Sequence, residues 1–436
     1  MRGWCRRIQS WSRRRNECRR ALVRLPAVIV GGMKMTWVMM CCVAIAGTAL
    51  AEDWPTFRGP TRNGVSVEKG WTYEWPGGEP PTLFKANVKN GFSEVVVRGD
   101  RLWTMGHARG KDVVVCLDAN SGKPIWSYDY SALGVGTVQP DYEGTRATPT
   151  LDGEKLYTLS RDGKAHCLEA GTGKVVWQKD LVKDLRVALP PWGFAGSPVI
   201  HGEMVILNVG TAGTALDKKS GAIVWQTGKN ASGYATPTQY EMNGKPRLAV
   251  FTADALVGLE TETGKRIWSV PWKTQYKINS ADPIYHDGKL FASSAYNFGC
   301  AVIDVSGDAG KIVWRNRDLR NHYNSSVLFD GHLYGFDGNN IGGQGLKCLE
   351  FATGKTIWTA ADPGWGNLIV ADGKLIIVTQ SGDLIVAKAS PEKYQELARA
   401  HPLAGTFWTA PVLSDGRLFL RNTRGDLVGL DLRTKK

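Results

Sequence analysis

Apolar and polar positions in this chain fall into short runs broken by turn residues, and the runs come in fours. Thr150-Leu-Asp-Gly-Glu-Lys-Leu-Tyr157 sets two apolar runs on either side of Asp-Gly, a pair that supplies the positive φ angles of a tight hairpin turn. A third run covers Ala165 to Leu168, a Gly-Lys turn follows, and a fourth run ends in Trp177. Each group predicts four short antiparallel strands. The group recurs down the chain, so the unit of organisation is a repeat.

Two markers count the repeats. The hairpin glycine stands at Gly99, Gly153, Gly202, Gly244, Gly288, Gly331, Gly373 and Gly416, in steps of 54, 49, 42, 44, 43, 42 and 43 residues. A second marker is an acidic residue followed by a turn glycine that lies four residues before a tryptophan. It gives Trp126, Trp177, Trp225, Trp268, Trp314 and Trp358, in steps of 51, 48, 43, 46 and 44. The copy from Asp304 to Trp314 carries two extra residues, and the seventh unit loses the tryptophan. Eight such units predict an all-β fold, an eight-bladed β-propeller of four-stranded antiparallel blades. The eighth unit, Pro411 to Asp431, stops where its outer strand should begin, whereas Pro81 to Asn87 has strand patterning and no blade of its own. The last blade is therefore expected to be completed by that N-terminal strand, which removes two exposed edges.

Residues 1–51 read as a leader, 52–79 as a cap over the outside or base of the ring, and 80–436 as the propeller. The chain has a net charge of +13, but residues 1–51 hold ten Lys and Arg against one Glu, which leaves the remainder near +4. A nucleic-acid partner is therefore not expected. Residues 35–51 pair a positive flank at Lys34 with an apolar run too short to span a membrane and end in Ala49-Leu-Ala51. That pattern predicts export, to the periplasm or beyond, with cleavage near Ala51 and no transmembrane span in the mature chain. The arginine-rich stretch ahead of it points to Met33 or Met35 as the initiator. Lipid anchoring at Cys41 is disfavoured, because the small residue expected before the cysteine is missing. Cys116, Cys167 and Cys348 share one repeat position, in different blades, so free buried thiols are expected there and at Cys300. The Gly335 to Gly345 loop, with Asp337, Asn339 and Asn340, lacks the oxygen spacing of a calcium loop and reads as turn chemistry.

The repeated acidic-x-x-Thr/Ser-Gly-Lys-x-x-Trp pattern resembles the tryptophan-docking motif of the quinoprotein alcohol dehydrogenase-like superfamily. That superfamily includes the pyrroloquinoline quinone (PQQ) dehydrogenases and the outer-membrane assembly protein BamB. Trp54-Pro-x-Phe-Arg-Gly-Pro, Arg146-Ala-Thr-Pro, Pro191-Trp-Gly-Phe and Asn321-His322 resemble a bacterial group of PQQ-like propeller-repeat proteins, some described as polyvinyl-alcohol dehydrogenases. The resemblance implies that Trp126, Trp177, Trp225, Trp268, Trp314 and Trp358 pack against the neighbouring blade as structural residues. It is specific for fold and weak for activity, since enzymes and non-enzymes share the repeat.

Aligning the blades on their hairpin glycines gives the positions that enter the central channel. One ring reads Glu94, Thr148, Ser197, Thr236, Asp282, Ser326, Asn367 and Ala410. Two residues earlier a second reads Phe92, Arg146, Ala195, Tyr234, Ser280, Asn324, Trp365 and Trp408, with His322 two before Asn324. Together they predict a funnel suited to a polar or planar ligand, with Arg146, Trp365, Trp408, Tyr234, Asn324, His322, Phe92 and Trp192 as ligand-binding candidates. Asp282 and Glu94 are the candidate catalytic carboxyls. They fall on opposite sides of the axis, and no metal set can be named. Three readings follow. One is an exported scaffold that binds a small molecule or protein through its funnel. Another is a dehydrogenase using PQQ and calcium, although the adjacent cysteines that many such enzymes carry occur here only as Cys41-Cys42 in the leader. The last is a BamB-like member of an envelope complex.

Overall fold

The computed structural model describes residues 52–132, 143–339 and 342–434, all within one compact unit, Gly47–Lys436. The leader, its cleavage site and Cys41-Cys42 lie outside the described residues. Eight sheets succeed one another along the chain. Blade one is Val96–Arg98, Arg101–Ala108, Lys111–Asp118 and Pro124–Ser131, each strand antiparallel to the next. Blades two to seven repeat that meander, and blade seven ends in Glu396–Ala400, where no tryptophan stands. The fold is the eight-bladed propeller the repeat count predicts.

Closure comes from the N-terminal side. Thr82–Asn87 pairs antiparallel with Asp426–Asp431 as the outer strand of blade eight. The seam is reinforced by Arg417, 1% exposed, whose guanidinium donates to Gly99 O at 2.7 Å and Asn120 Oδ1 at 3.0 Å in blade one. A strand edge left open at this seam would be a template for aggregation, so pairing it from the chain's other end stabilises and protects at once.

The six tryptophans hold blade to blade. The indole N–H of Trp126, Trp177, Trp225, Trp314 and Trp358 donates to a backbone carbonyl of the following blade at 3.0 Å. Trp268 turns instead to the Tyr240 hydroxyl, 3.1 Å away. The blade after it is the one whose turn carries the extra residues. A Cβ on Gly173 would lie 2.5 Å from the Trp126 ring, at φ +74, so glycine is required there on both counts. Gly122, the turn glycine of blade one, meets Phe84 in the same way, at 2.3 Å. Phe84 is thus the tryptophan of the borrowed strand, down to the register irregularity just before it.

The cap segment bonds to blade after blade. Trp54, fully buried, exchanges backbone bonds with Val97 in blade one, and Pro55 O accepts from Leu151 N in blade two. Arg62 Nη1 reaches Gln239 Oε1 in blade four at 2.6 Å. Val65–Ser66 then adds a fifth, parallel strand to the inner edge of blade seven, and Glu68 accepts the backbone N–H groups of Asp415 and Gly416 in blade eight. The segment therefore crosses one end of the channel and stitches opposite blades together. Elsewhere, Cys116, Cys167, Cys300 and Cys348 are buried and free. Asp337 is spent on an ion triad with Arg320 at 2.7 Å and Lys347 at 3.0 Å. Among the described residues no helix is long and apolar enough to cross a membrane.

Candidate functional site: an axial funnel with a carboxyl pair

Inner strands enter the channel through a girdle of hydrogen bonds. The Glu94 backbone N–H donates to Thr148 Oγ1 at 2.9 Å, Thr148 to Ser197 Oγ at 2.9 Å, and Ser197 to Thr236 Oγ1 at 3.1 Å. Thr236 then donates to Asp282 Oδ1 at 2.8 Å, and Asp282 to Ser325 Oγ at 2.9 Å. Each ring residue offers one side-chain oxygen to the preceding blade. A hydroxyl has a single oxygen, and that oxygen is committed to the joint. A carboxylate has a second oxygen, and at Asp282 it is left to the cavity that this ring surrounds.

That cavity has a volume of about 370 Å³. Phe92, Arg146, Tyr234, Asp282, Glu94, His322, Trp192 and Trp408, all singled out from the sequence, line it together. Phe92 and Trp408 stack with centroids 5.2 Å apart, and Trp408 lies 4.5 Å from Tyr323. These rings form a continuous aromatic wall. Arg146 sits over Phe92 at 5.1 Å and donates from Nε to Trp192 O at 2.9 Å. Trp192 is held at the mouth by the loop after the short helix Leu181–Leu185, whose N-cap is Asp180. The Tyr234 oxygen accepts its backbone N–H at 3.5 Å. The partner connection from Tyr128 to Gly144 falls partly outside the described residues.

Blade six departs from the alignment. Tyr323 and Ser325 face the cavity there, while Asn324 and Ser326 do not. Asn324 Nδ2 donates to Gly366 O at 3.3 Å, and Ser326 Oγ to Asn321 Oδ1 at 2.8 Å, both buried. A slip of one residue turns every side chain to the other face, and these two bonds are what hold the slipped register. Trp365 is displaced with them. It packs edge-on behind Tyr323 at 4.8 Å and does not line the cavity. His322 does line it, and burial lowers its pKa to about 4, so it is neutral.

The residue that sequence reasoning missed is Arg58. It belongs to the cap motif Trp54-Pro-x-Phe-Arg-Gly-Pro, which was the available signal. Its backbone N–H donates to Glu94 Oε2 at 3.3 Å, and its Nη2 donates to Ser326 O at 2.6 Å and Asn63 O at 3.0 Å. The guanidinium lines the cavity. Its charge acts on both Asp282 and Glu94. Burial nevertheless pushes the Glu94 carboxyl up to about 8, outweighing the Arg58 backbone bond and charge. Burial raises Asp282 to about 6, with Arg58 as the main opposing influence. At neutral pH one acid is thus largely protonated and the other largely ionised.

A model of the family described as outer membrane protein assembly factor BamB matches residues 110–360. The chain belongs to that family. Among curated relatives it is 24% identical over 335 residues to the BamB of Yersinia pestis, covering 72% of this chain and 79% of that one. It is 26% identical to the quinohemoprotein alcohol dehydrogenase ADH IIB of Pseudomonas putida, over 59% of this chain but 38% of that enzyme. Among solved structures, BamB from Moraxella catarrhalis superposes with a TM-score of 0.58 at 17% identity, over 81% of this chain and 99% of that one. The quinohemoprotein alcohol dehydrogenase of Comamonas testosteroni reaches 0.65 at 14% identity, over 88% and 81%. The family is thus a PQQ-like propeller family, related to both BamB and the PQQ dehydrogenases.

The dehydrogenase side of the family implies calcium and a quinone, and the funnel residues do not fit a calcium ion. The space near both carboxyls holds the Arg58 guanidinium, a cation whose charge acts on both and competes for the place a calcium ion would take. Among the described residues no group of three or more His, Cys, Asp or Glu is placed to hold a metal.

Proposed function

We propose that the protein is an exported ligand-binding propeller whose axial funnel takes a small molecule with a flat apolar face. The single observation behind this reading is the aromatic wall of Phe92, Trp408 and Tyr323 in one cavity with Arg58, Glu94 and Asp282. Apolar walls with a few convergent polar groups are the usual make-up of small-molecule sites. Flat ligands gain both apolar burial and ring stacking against such a wall. The test is a thermal-shift titration of the mature chain with 2-naphthoate and its neutral amide. The parent should gain melting temperature with at least one of them and Trp408→Ala should not. Equal responses from the two proteins would overturn the reading.

A second reading is an envelope-assembly role, favoured by the family match over residues 110–360. Capture of a β-barrel assembly complex by the tagged mature chain, in the organism's own membranes, would support it. A clean negative would leave the funnel as the functional surface.

A further inference from the structure

We propose that the funnel floor is a carboxylate-recognition site, and that the ligand is a planar molecule bearing one carboxylate, held by Arg58 and Asn367. The proposal rests on the small-molecule reading of the funnel and specifies which end of the ligand goes where.

Among the described residues, the buried donors of this cavity include two that have no hydrogen-bond partner. Arg58 and Asn367 are each 5% exposed and both line the cavity, yet Arg58 Nη1 and Asn367 Nδ2 have no hydrogen-bond partner. A buried donor without a partner costs about 1–3 kcal/mol, more when it is charged, so such groups call for an acceptor. Arg58 is also held at φ +63, an uncommon backbone for a side chain of this size. Strain of that kind persists only where surrounding structure enforces it, and it gathers at ligand clamps. Here the enforcement is visible: the Glu94 carboxyl takes the Arg58 backbone N–H, and two backbone carbonyls take Nη2. Nη1 is left for an acceptor that enters from the funnel.

Charge selects the acceptor. Near neutral pH, Glu94 and His322 are largely uncharged, and burial raises the pKa of Tyr234 and Tyr296, which keeps them neutral. The charged groups facing the space are then Arg58, Arg146 and Asp282, a net single positive charge. One carboxylate neutralises it. Its two oxygens can accept from a guanidinium nitrogen and from an amide nitrogen, and protonated Glu94 adds a hydroxyl donor. The body of the ligand then lies along Phe92 and Trp408, under Arg146.

Isothermal titration calorimetry on the mature chain, with 2-naphthoate against 2-naphthamide, tests this. The acid should bind about tenfold tighter than the amide, the scale of one charge-assisted hydrogen bond. Arg58→Lys and Asn367→Ala should each erase most of that preference while leaving amide binding within about twofold. If acid and amide bind the parent equally, the carboxylate assignment is wrong and the aromatic funnel stands. If the preference survives in Asn367→Ala and in Arg58→Lys, recognition lies elsewhere and the floor assignment is wrong. If neither probe binds, the funnel reading itself falls. Because the acid-to-amide ratio is read on the parent, the test holds even if an Arg58 variant fails to fold.

Discussion

The rim and the axis of this propeller solve the same problem, joining each blade to the next, and they do so with opposite economy. On the rim one device is copied: a tryptophan indole against the next turn glycine, with its N–H on the next backbone. At the axis the joining bond is also copied, but the residue that makes it changes from blade to blade among Thr, Ser and Asp. The rim varies little, because a large ring must fill one fixed gap: Phe84 takes the place at the borrowed strand, and only blade seven goes without an aromatic residue there. The axial bond needs only one oxygen at one height. Asp282 can satisfy it and still present a second oxygen to the cavity. Chemistry becomes available where the repeat varies without breaking the joint.

The largest effect expected from this contrast is on stability. Trp177→Ala and Phe84→Ala should each cost about 3–5 kcal/mol, as for other large aromatic truncations in cores. Trp408→Ala, at the funnel wall, should cost under about 2 kcal/mol. Urea denaturation of the three variants measures this. Equal costs would erase the distinction between glue and wall.

Per pH unit, a smaller effect follows from Glu94. Its carboxyl holds a proton in the folded state up to about pH 8 and loses it near 4.5 when unfolded, so the folded state binds more protons across that window. Stability must then fall as pH rises between those values, by up to about 1.4 kcal/mol per pH unit, and level off above. Asp282 adds the same sign, but only between 3.8 and about 6. Denaturation at pH 6.5 and 8.0 isolates Glu94: Glu94→Gln should flatten the slope that the parent shows. A parent curve already flat over that interval would mean that the carboxyl is ionised.

The smallest effects sharpen the register of blade six. Ser325→Ala removes the acceptor of the Asp282 N–H and should cost about 1 kcal/mol. Trp365→Phe, behind Tyr323, should leave 2-naphthoate affinity within about twofold. A larger loss on Trp365→Phe than on Trp408→Ala would put the ligand on the other side of that wall.

Most of the architecture was legible because it is written in short-range pattern. A hairpin glycine recurs eight times and a glycine four residues before a tryptophan six times, and repetition averages out local noise; the spare strand at Thr82–Asn87 stands out because every other strand has a blade. Phe84 was harder to see, since it does the work of a tryptophan in a blade assembled from both ends of the chain. The funnel was legible wherever the ring alignment held. It failed at Asn324, Ser326 and Trp365 because a single-residue slip is invisible to spacing, while Asn324 and Ser326 side-chain bonds within blade six and to blade seven made the slip favourable.

The order of residues alone determined the number of blades, their four-strand plan, the closure, and the fact that six tryptophans are mortar. The blade count, the strand plan and the tryptophans follow from turn and hydrogen-bonding preferences acting within one repeat, and the closure from the one strand the repeat count leaves over. Tertiary structure alone decided that Arg58, thirty-six residues before Glu94 and far before Asp282 in sequence, stands where its charge reaches both. The same arrangement left one acid neutral and the other ionised. Burial and charge are properties of the assembled space around a group, and no local stretch of chain contains that space.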